Sequence, residues 1–122
     1  MKAEDRRLDD WLGDLLTSGE KIVEYTARID RQRFLADEPV RDLVIKKIEN
    51  MGEAVRYIRE LHPDFYDRVP LPWRDIRRMR NKLVHGYFDI DELLLWETAR
   101  DDVPALLDDI RMLTAAFRRS EA

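Results

Sequence analysis

The sequence predicts an all-α protein, most simply an antiparallel bundle of four or five helices. Apolar residues recur at helical spacing along most of its 122 residues, and no segment shows the alternating pattern of a strand. Three of the five prolines fall in one irregular segment, at Pro63, Pro70 and Pro72. A chain of this length is predicted to form a single domain over residues 1–122, and its hydrophobic residues, 44% of the chain, suffice for a core.

The first predicted helix extends from about Glu4 to Asp30. Its apolar stripe repeats every seven residues, at Leu8, Leu15, Ile22 and Ile29. The stripe keeps its phase across Gly19, which favours one continuous helix although glycine there costs about 1 kcal/mol relative to alanine. A small residue at this point permits a close helix crossing. A short connector leads to a second long helix from about Pro39, a residue suited to a first helical turn, to Leu61.

The irregular segment from His62 to Trp73 precedes a third helix, which is predicted to start near Trp73 and to be capped by Gly86. The sequence Asp89-Ile90-Asp91-Glu92 resembles a capping box that starts a fourth helix. The segment from Asp101 to Pro104 restarts or kinks that helix. A last apolar stripe follows, at Leu106, Leu107, Ile110, Leu113 and Phe117.

Composition argues against several classes of function. Cysteine is absent, so a disulfide framework and a thiolate metal site are excluded. Two distant histidines and scattered carboxylates do not make a ligand set, and no metal or other cofactor is predicted.

The N-terminus lacks the apolar run of a signal peptide and no segment reaches membrane-spanning length, which predicts a cytoplasmic protein without a membrane partner. The net charge of −4 disfavours a general nucleic-acid coat protein, so RNA would bind only in a local basic cleft.

The most distinctive stretch is Arg80-Asn81-Lys82-Leu83-Val84-His85-Gly86-Tyr87. It belongs to a basic run in which five cations fall within nine residues, at Arg74, Arg77, Arg78, Arg80 and Lys82. An arginine holds phosphate through its rigid donor fork, and a histidine exchanges protons near neutral pH. The stretch therefore predicts chemistry on a phosphodiester. Three of the neighbouring cations would attract RNA without reading its sequence, namely Arg77, Arg78 and Lys82.

Helix geometry does not by itself bring the arginine and the histidine together. An α-helix turns by 100° per residue, so His85 lies about 140° from Arg80. Either the helix ends at His85-Gly86 and the imidazole swings, or a two-fold axis brings Arg80 of one chain to His85 of another. From spacing alone, a histidine near a helix end is more often a cap or a surface residue, and a run of arginines is a solvated face.

Three elements in this order resemble the HepT toxins, which belong to the HEPN group of helical ribonucleases. Arg80-x4-His85-x-Tyr87 resembles the R-x4-H-x-Y motif of that family. The lead-in Pro72-Trp73-x2-Ile76-x3-Arg80-Asn81 and the upstream Ile48-x3-Gly52-Glu53-Ala54 are similar to the family as well. The resemblance covers nearly the whole chain. It implies a bundle of HEPN type and a homodimer with a composite cleft at its interface, to which Trp73 is a candidate contributor.

The resemblance also implies metal-independent RNA cleavage, in which the 2′-hydroxyl of the RNA attacks the adjacent phosphorus. His85 would act as general base or general acid, and Arg80 would stabilise the charge that grows on the phosphoryl oxygens. Asn81 would orient the imidazole or the phosphate, and Tyr87 would donate to the phosphate or position a base. Glu53 either pairs with Arg80 in the cleft or is an ordinary surface carboxylate.

As a HepT relative, the chain would be the endoribonuclease toxin of a type VII-like toxin–antitoxin module. Its antitoxin would be a nucleotidyltransferase similar to MntA, which transfers AMP from ATP to Tyr87 and so neutralises the toxin. The resemblance weakly suggests transfer RNA as the RNA substrate. The alternative is a non-catalytic HEPN adaptor that binds substrate or nucleotide for a nucleotidyltransferase. Growth arrest that depends on His85 would support only the toxin.

Overall fold

The computed structural model describes residues 6–84 and 91–121 of the chain. These ranges contain no strand, and the prediction of an all-α protein is confirmed. A π-helical segment, Thr98–Asp102, joins the last two helices. The α-helices of the described residues are α1 (Leu8–Ala27), α2 (Arg31–Ala36), α3 (Glu38–Leu61), α4 (Pro63–Arg68), α5 (Trp73–Val84), α6 (Glu92–Glu97) and α7 (Val103–Glu121).

The first helix is shorter than predicted. Arg7 precedes it in an extended conformation, and its backbone N–H donates to the carboxylate of Asp10 at 3.0 Å. The helix ends at Ala27 instead of Asp30, because Asp30 starts the next helix: its carboxylate accepts from the backbone N–H of Arg33 at 2.8 Å. The predicted starting residue, Glu4, lies outside the described residues.

The segment between the second and third long helices is more regular than predicted. Pro63 occupies the first turn of α4, where a missing N–H is tolerated. Phe65 is buried and contacts the rings of Trp73 and Phe117, so burial of one aromatic side chain holds this short helix in place. Such an anchor depends on partners distant in the sequence, which local patterns do not reveal.

A helix starts where the capping box Asp89 to Glu92 was predicted, with Asp91 as its cap: the Asp91 carboxylate accepts from the N–H groups of Leu93 and Leu94 at 3.0 and 3.1 Å. Asp89, the first residue of the predicted box, lies outside the described residues.

The restart or kink predicted between Asp101 and Pro104 takes the form of a π-helical turn, and the helical path is continuous. The chain widens into the π turn, and α7 follows directly with Pro104 as its second residue. Proline lacks an N–H donor, and the irregular turn lies where the regular hydrogen-bond ladder would be interrupted.

Two contacts show that α1 and α3 run antiparallel. Near the start of α1, Trp11 stacks on Tyr57 of α3 with ring centroids 4.7 Å apart. Further along α1, a Cβ added to Gly19 would lie 3.7 Å from the Cε atom of Met51. As the residue number rises in one helix it falls in the other, which confirms this part of the predicted antiparallel bundle.

The close crossing predicted at Gly19 brings α7 onto α1. A Cβ added to Gly19 would lie 3.0 Å from Cδ1 of Leu107, so a larger residue would require the Leu107 side chain to shift. The core lies between these helices and α3, which also contacts α2, α4, α5 and α6. None of the described helices is both long and apolar enough to cross a membrane.

Candidate active site

Arg80 lies on the side of α5 that faces α3, where its side chain crosses Gly52. A Cβ added to Gly52 would lie 2.9 Å from Cγ, 3.2 Å from Cδ and 3.3 Å from Cβ of Arg80. The apolar stem of the arginine therefore rests on the bare backbone of α3, while the residue as a whole remains exposed. Long cationic side chains commonly cover apolar surface in this way and keep the charged head in water.

The guanidinium of Arg80 has no carboxylate partner in the described part of the chain. Its Nη1 donates to the amide oxygen of Asn81 at 3.4 Å, which is long for a hydrogen bond. None of the ion pairs among the described residues includes Arg80. Within the described residues, no carboxylate therefore neutralises this positive charge.

Glu53, which follows Gly52, pairs with its own helix. Its Oε1 accepts from Nη2 of Arg56 at 2.6 Å, and this hydrogen bond raises the pKa of Arg56. Of the two interpretations of Glu53, the surface carboxylate is therefore the one that the structure shows, and the ion pair with Arg80 is not formed.

The cations of α5 divide between two faces of the helix. Arg77 and Asn81 lie about 60° and 100° from Arg80, whereas Arg78 and Lys82 both lie about 160° from it. The second face borders a groove of about 440 Å³ between α5 and the beginning of α7. That groove is lined by three aspartates and two cations together with apolar side chains, namely Asp75, Arg78, Met79, Lys82, Asp102, Ala105, Leu106 and Asp109.

This division matters for the predicted basic cleft. Arg78 and Lys82 share their groove with an excess of carboxylates, which weakens the attraction of that face for phosphate. Arg77 and Arg80 lie toward the other face and are not among the residues that line this groove. The basic run of the sequence is therefore not one continuous patch.

The remaining predicted site residues, His85 and Tyr87, lie outside the described residues, as does the predicted cap Gly86. Their assigned roles stay predictions. The other histidine, His62, follows α3, and its Nε2 is buried without a hydrogen-bond partner among the described residues. It is ten residues from Gly52, about 15 Å along the helix, and so belongs to a different region from Arg80.

Trp11 and Trp73 are too deeply buried to stack on bases, and Trp73 is too deeply buried to form the dimer contact suggested for it. Trp73 is 7% exposed, and its Nε1 donates to the carbonyl oxygens of Tyr66 and Val69, both at 3.1 Å. It therefore belongs to the core of its own chain. Trp11 is 5% exposed and is enclosed by a stack with Tyr57. Trp96 is half-buried and packs on the ring of Phe34, with centroids 5.1 Å apart.

A stack of four side chains joins α1 to α3, and the sequence did not predict it. The guanidinium of Arg6 lies 4.0 Å from the ring of Trp11, and that of Arg56 lies 4.3 Å from the ring of Tyr57 on the opposite side. Cation–π contacts of this kind stabilise the fold. The four residues come from two distant segments, so no spacing rule would have found the stack.

Comparison with known proteins decides the family. The family profile described as Ribonuclease HepT-like matches residues 15–113, a range that contains Gly52, Arg80, His85 and Tyr87. This chain belongs to the HepT-like ribonuclease family. The match confirms the resemblance drawn from the three sequence elements, and with it the HEPN type of the helical bundle. Among the described residues, no group of three histidine, aspartate or glutamate side chains could hold a metal ion.

Curated relatives agree with this family. A protein of Thermococcus cleftensis named probable ribonuclease HepT is 39% identical over 101 residues, which cover 80% of this chain and 86% of the relative. A protein of Methanocaldococcus jannaschii, whose name assigns it provisionally as an RNase, is 36% identical over 104 residues, or 84% of this chain and 93% of the relative. No solved structure matches the chain significantly. As a HepT-like ribonuclease, the chain has RNA as its expected substrate class.

Proposed function

We propose that this chain is a metal-independent endoribonuclease toxin whose active site is completed by a second copy of itself. The observation that carries the proposal is the placement of Arg80. Its stem is seated on Gly52, its guanidinium has no carboxylate partner among the described residues, and His85 follows five residues later. An arginine without a carboxylate partner among the described residues, together with a histidine of the same motif, would supply a phosphate clamp and a proton-transfer group.

In the proposed reaction the 2′-hydroxyl of RNA attacks the adjacent phosphorus. His85 takes the proton of that hydroxyl as general base, or protonates the departing 5′-oxygen as general acid. Arg80 stabilises the negative charge on the non-bridging oxygens of the transition state. Asn81 orients the phosphate or the imidazole. The products are a 2′,3′-cyclic phosphate and a free 5′-hydroxyl, so the atoms balance without water or metal in this first step.

The proposed dimeric cleft is what the resemblance to HEPN ribonucleases implies, and helix geometry is compatible with it. On an extension of α5, His85 would lie about 140° from Arg80. Either the helix ends at His85-Gly86 and the imidazole swings, or a two-fold axis brings Arg80 of one copy to His85 of the other, and the second arrangement is the one proposed. A closed two-fold dimer is also the commonest homo-oligomer.

Neutralisation is proposed to act on Tyr87. A MntA-like nucleotidyltransferase antitoxin would transfer AMP from ATP to the tyrosine oxygen, with pyrophosphate as the leaving group. The attached phosphodiester would pair with the arginines that should hold RNA, and the adenosine would occupy the space of a base. Arg80 and Arg77 are the cations best placed for this pairing, because they share a face of α5 and Arg78 does not.

Expression without a partner tests the proposed activity. Wild type should degrade RNA and arrest growth, while His85→Ala and Arg80→Ala should do neither. Arg80→Lys should also be impaired, since an ammonium cannot reproduce the two-pronged phosphate contact. The exposed Arg111→Ala on α7 is the matched control and should behave as wild type.

With purified protein, cleavage should persist in EDTA and leave 2′,3′-cyclic phosphate ends. Full activity of a correctly folded His85→Ala protein would show that the catalytic assignment is wrong. Loss of activity in EDTA, restored by a divalent ion, would contradict metal-independent chemistry. RNA binding without cleavage by any variant, wild type included, would favour the adaptor.

A further inference from the structure

Gly52 lies in the middle of α3, where the backbone conformation does not require a glycine. None of the glycines in the described ranges has a positive φ, so none is required by a left-handed conformation. A glycine inside a helix destabilises it relative to alanine. Its presence here therefore needs a packing reason.

The packing reason differs among the described glycines. A Cβ at Gly13 would meet no atom within 4 Å, and a Cβ at Gly19 would meet the flexible end of the core residue Leu107. Only at Gly52 would the added atom meet a charged side chain that the proposed chemistry uses. It would contact three successive carbons of Arg80, the nearest at 2.9 Å.

The crowding cannot be relieved without moving Arg80. The normal separation of carbon atoms in contact is about 3.5–4.0 Å, so all three distances are too short. The Cβ atom of Arg80, at 3.3 Å, is fixed by the backbone of α5 and cannot rotate away. An added methyl group would push α5 from α3 or drive Arg80 into another χ1 rotamer, and rotamer wells are about 120° apart.

We propose that Gly52 is a positioning residue of the ribonuclease site, whose missing side chain fixes the direction of the Arg80 guanidinium. The proposal rests on the proposed catalytic role of Arg80. Among the described residues, the Arg80 guanidinium forms one hydrogen bond, to Asn81 at 3.4 Å, which is too long to hold the side chain firmly. Because Gly52 has no side chain, the aliphatic part of Arg80 packs directly on the backbone of α3. This packing fixes the direction in which the guanidinium extends. A rotamer change would move that group by more than about 1 Å, enough to lower a reaction rate by roughly a hundredfold.

The direct test is Gly52→Ala. We expect kcat for RNA cleavage to fall about 10- to 100-fold, with a smaller change in KM, because other cations still attract the substrate. The melting temperature should fall little compared with the loss of kcat, since alanine favours the helix. Gly13→Ala is the matched control: the same substitution in a helix with open space around it should leave cleavage unchanged.

A double variant separates positioning from a general effect on the fold. If Gly52 acts mainly through the Arg80 guanidinium, then Gly52→Ala should lower the residual in vitro activity of Arg80→Ala much less than it lowers that of wild type, because only the Cβ contact at position 80 remains. A loss in the double variant as large as in the wild-type background would overturn the positioning role. So would wild-type kinetics of Gly52→Ala in a protein that Arg80→Ala inactivates, and in that case the proposed function would stand.

The orientation of Arg80 can also be measured without an activity assay, so the inference can be tested even if the proposed function is wrong. If Arg80→Ala retains full activity, the role of Arg80 in cleavage is wrong, but its orientation can still be measured. The Nε–Hε resonance of Arg80, assigned by its disappearance in Arg80→Lys, should shift in Gly52→Ala and stay in place in Gly13→Ala. An unshifted resonance in both variants would overturn the inference.

Discussion

Arg100 lies in the π turn and reaches the carboxyl end of α1, where its Nη1 donates to the carbonyl oxygen of Thr26 at 3.1 Å. The last turn of α1 carries no basic residue of its own. The guanidinium therefore supplies the positive charge that the negative end of that helix favours, and it joins two segments 74 residues apart.

Arg100→Ala should reduce stability by about 1 kcal/mol, the usual contribution of such a hydrogen bond at a partly exposed site. Urea unfolding followed by circular dichroism measures this. Arg111→Ala is the control, because Arg111 forms only exposed pairs with Glu20 and Asp108 and should change stability by less than about 0.5 kcal/mol. Equal losses of stability from the two substitutions would show that the hydrogen bond to Thr26 contributes no more than the exposed ion pairs of Arg111.

The composite cleft predicts a homodimer. Light scattering at micromolar concentration should give about twice the chain mass of 14.6 kDa. A strictly monomeric protein that still cleaves RNA would contradict the prediction. The contacts should not include Trp73, whose side chain is enclosed within its own chain.

Mixing two inactive variants tests which chains supply the cleft. In a heterodimer of Arg80→Ala and His85→Ala, one composite cleft carries both substitutions and the other carries neither. Random exchange of subunits should therefore restore about a quarter of the wild-type activity. If both groups came from one chain, every cleft would lack one of them and mixing would restore nothing.

The two faces of α5 should contribute unequally to RNA binding. In the His85→Ala background, where RNA should stay intact, Arg77→Ala should weaken binding about 5- to 10-fold and lower the salt slope by about 1. Lys82→Ala should weaken binding less than about twofold, because Lys82 borders the groove that holds three aspartates. Fluorescence anisotropy at several salt concentrations measures both quantities. Equal losses would mean that RNA contacts both faces.

Modification by the antitoxin should depend on Tyr87. Coexpression with the cognate nucleotidyltransferase should add one or more AMP units, detected by intact mass, and abolish toxicity. Tyr87→Phe should prevent the addition, while the half-buried Tyr57, stacked on Trp11, serves as the control position for Tyr→Phe. A fully neutralised toxin without added mass would show that the antitoxin acts by covering the site.

The sequence by itself determined the helical class, a helix start close to Asp91 and the family. Helix periodicity and capping are local properties, because they depend on residues within one or two turns of each other. The motif elements around Gly52 and Arg80 were likewise visible as spaced residues, and they led to the same family that the comparisons show.

Tertiary structure alone decided which of these residues meet. It packed Arg80 on Gly52 and paired Glu53 with Arg56, and it separated Arg80 and Arg77 from the groove in which Arg78 and Lys82 lie among carboxylates. It also formed α4 and the π turn, where the sequence had predicted an irregular segment and a restart or kink of the helix. The reason is physical: such contacts depend on how helices cross and where side chains point, and a periodic pattern along one helix contains neither.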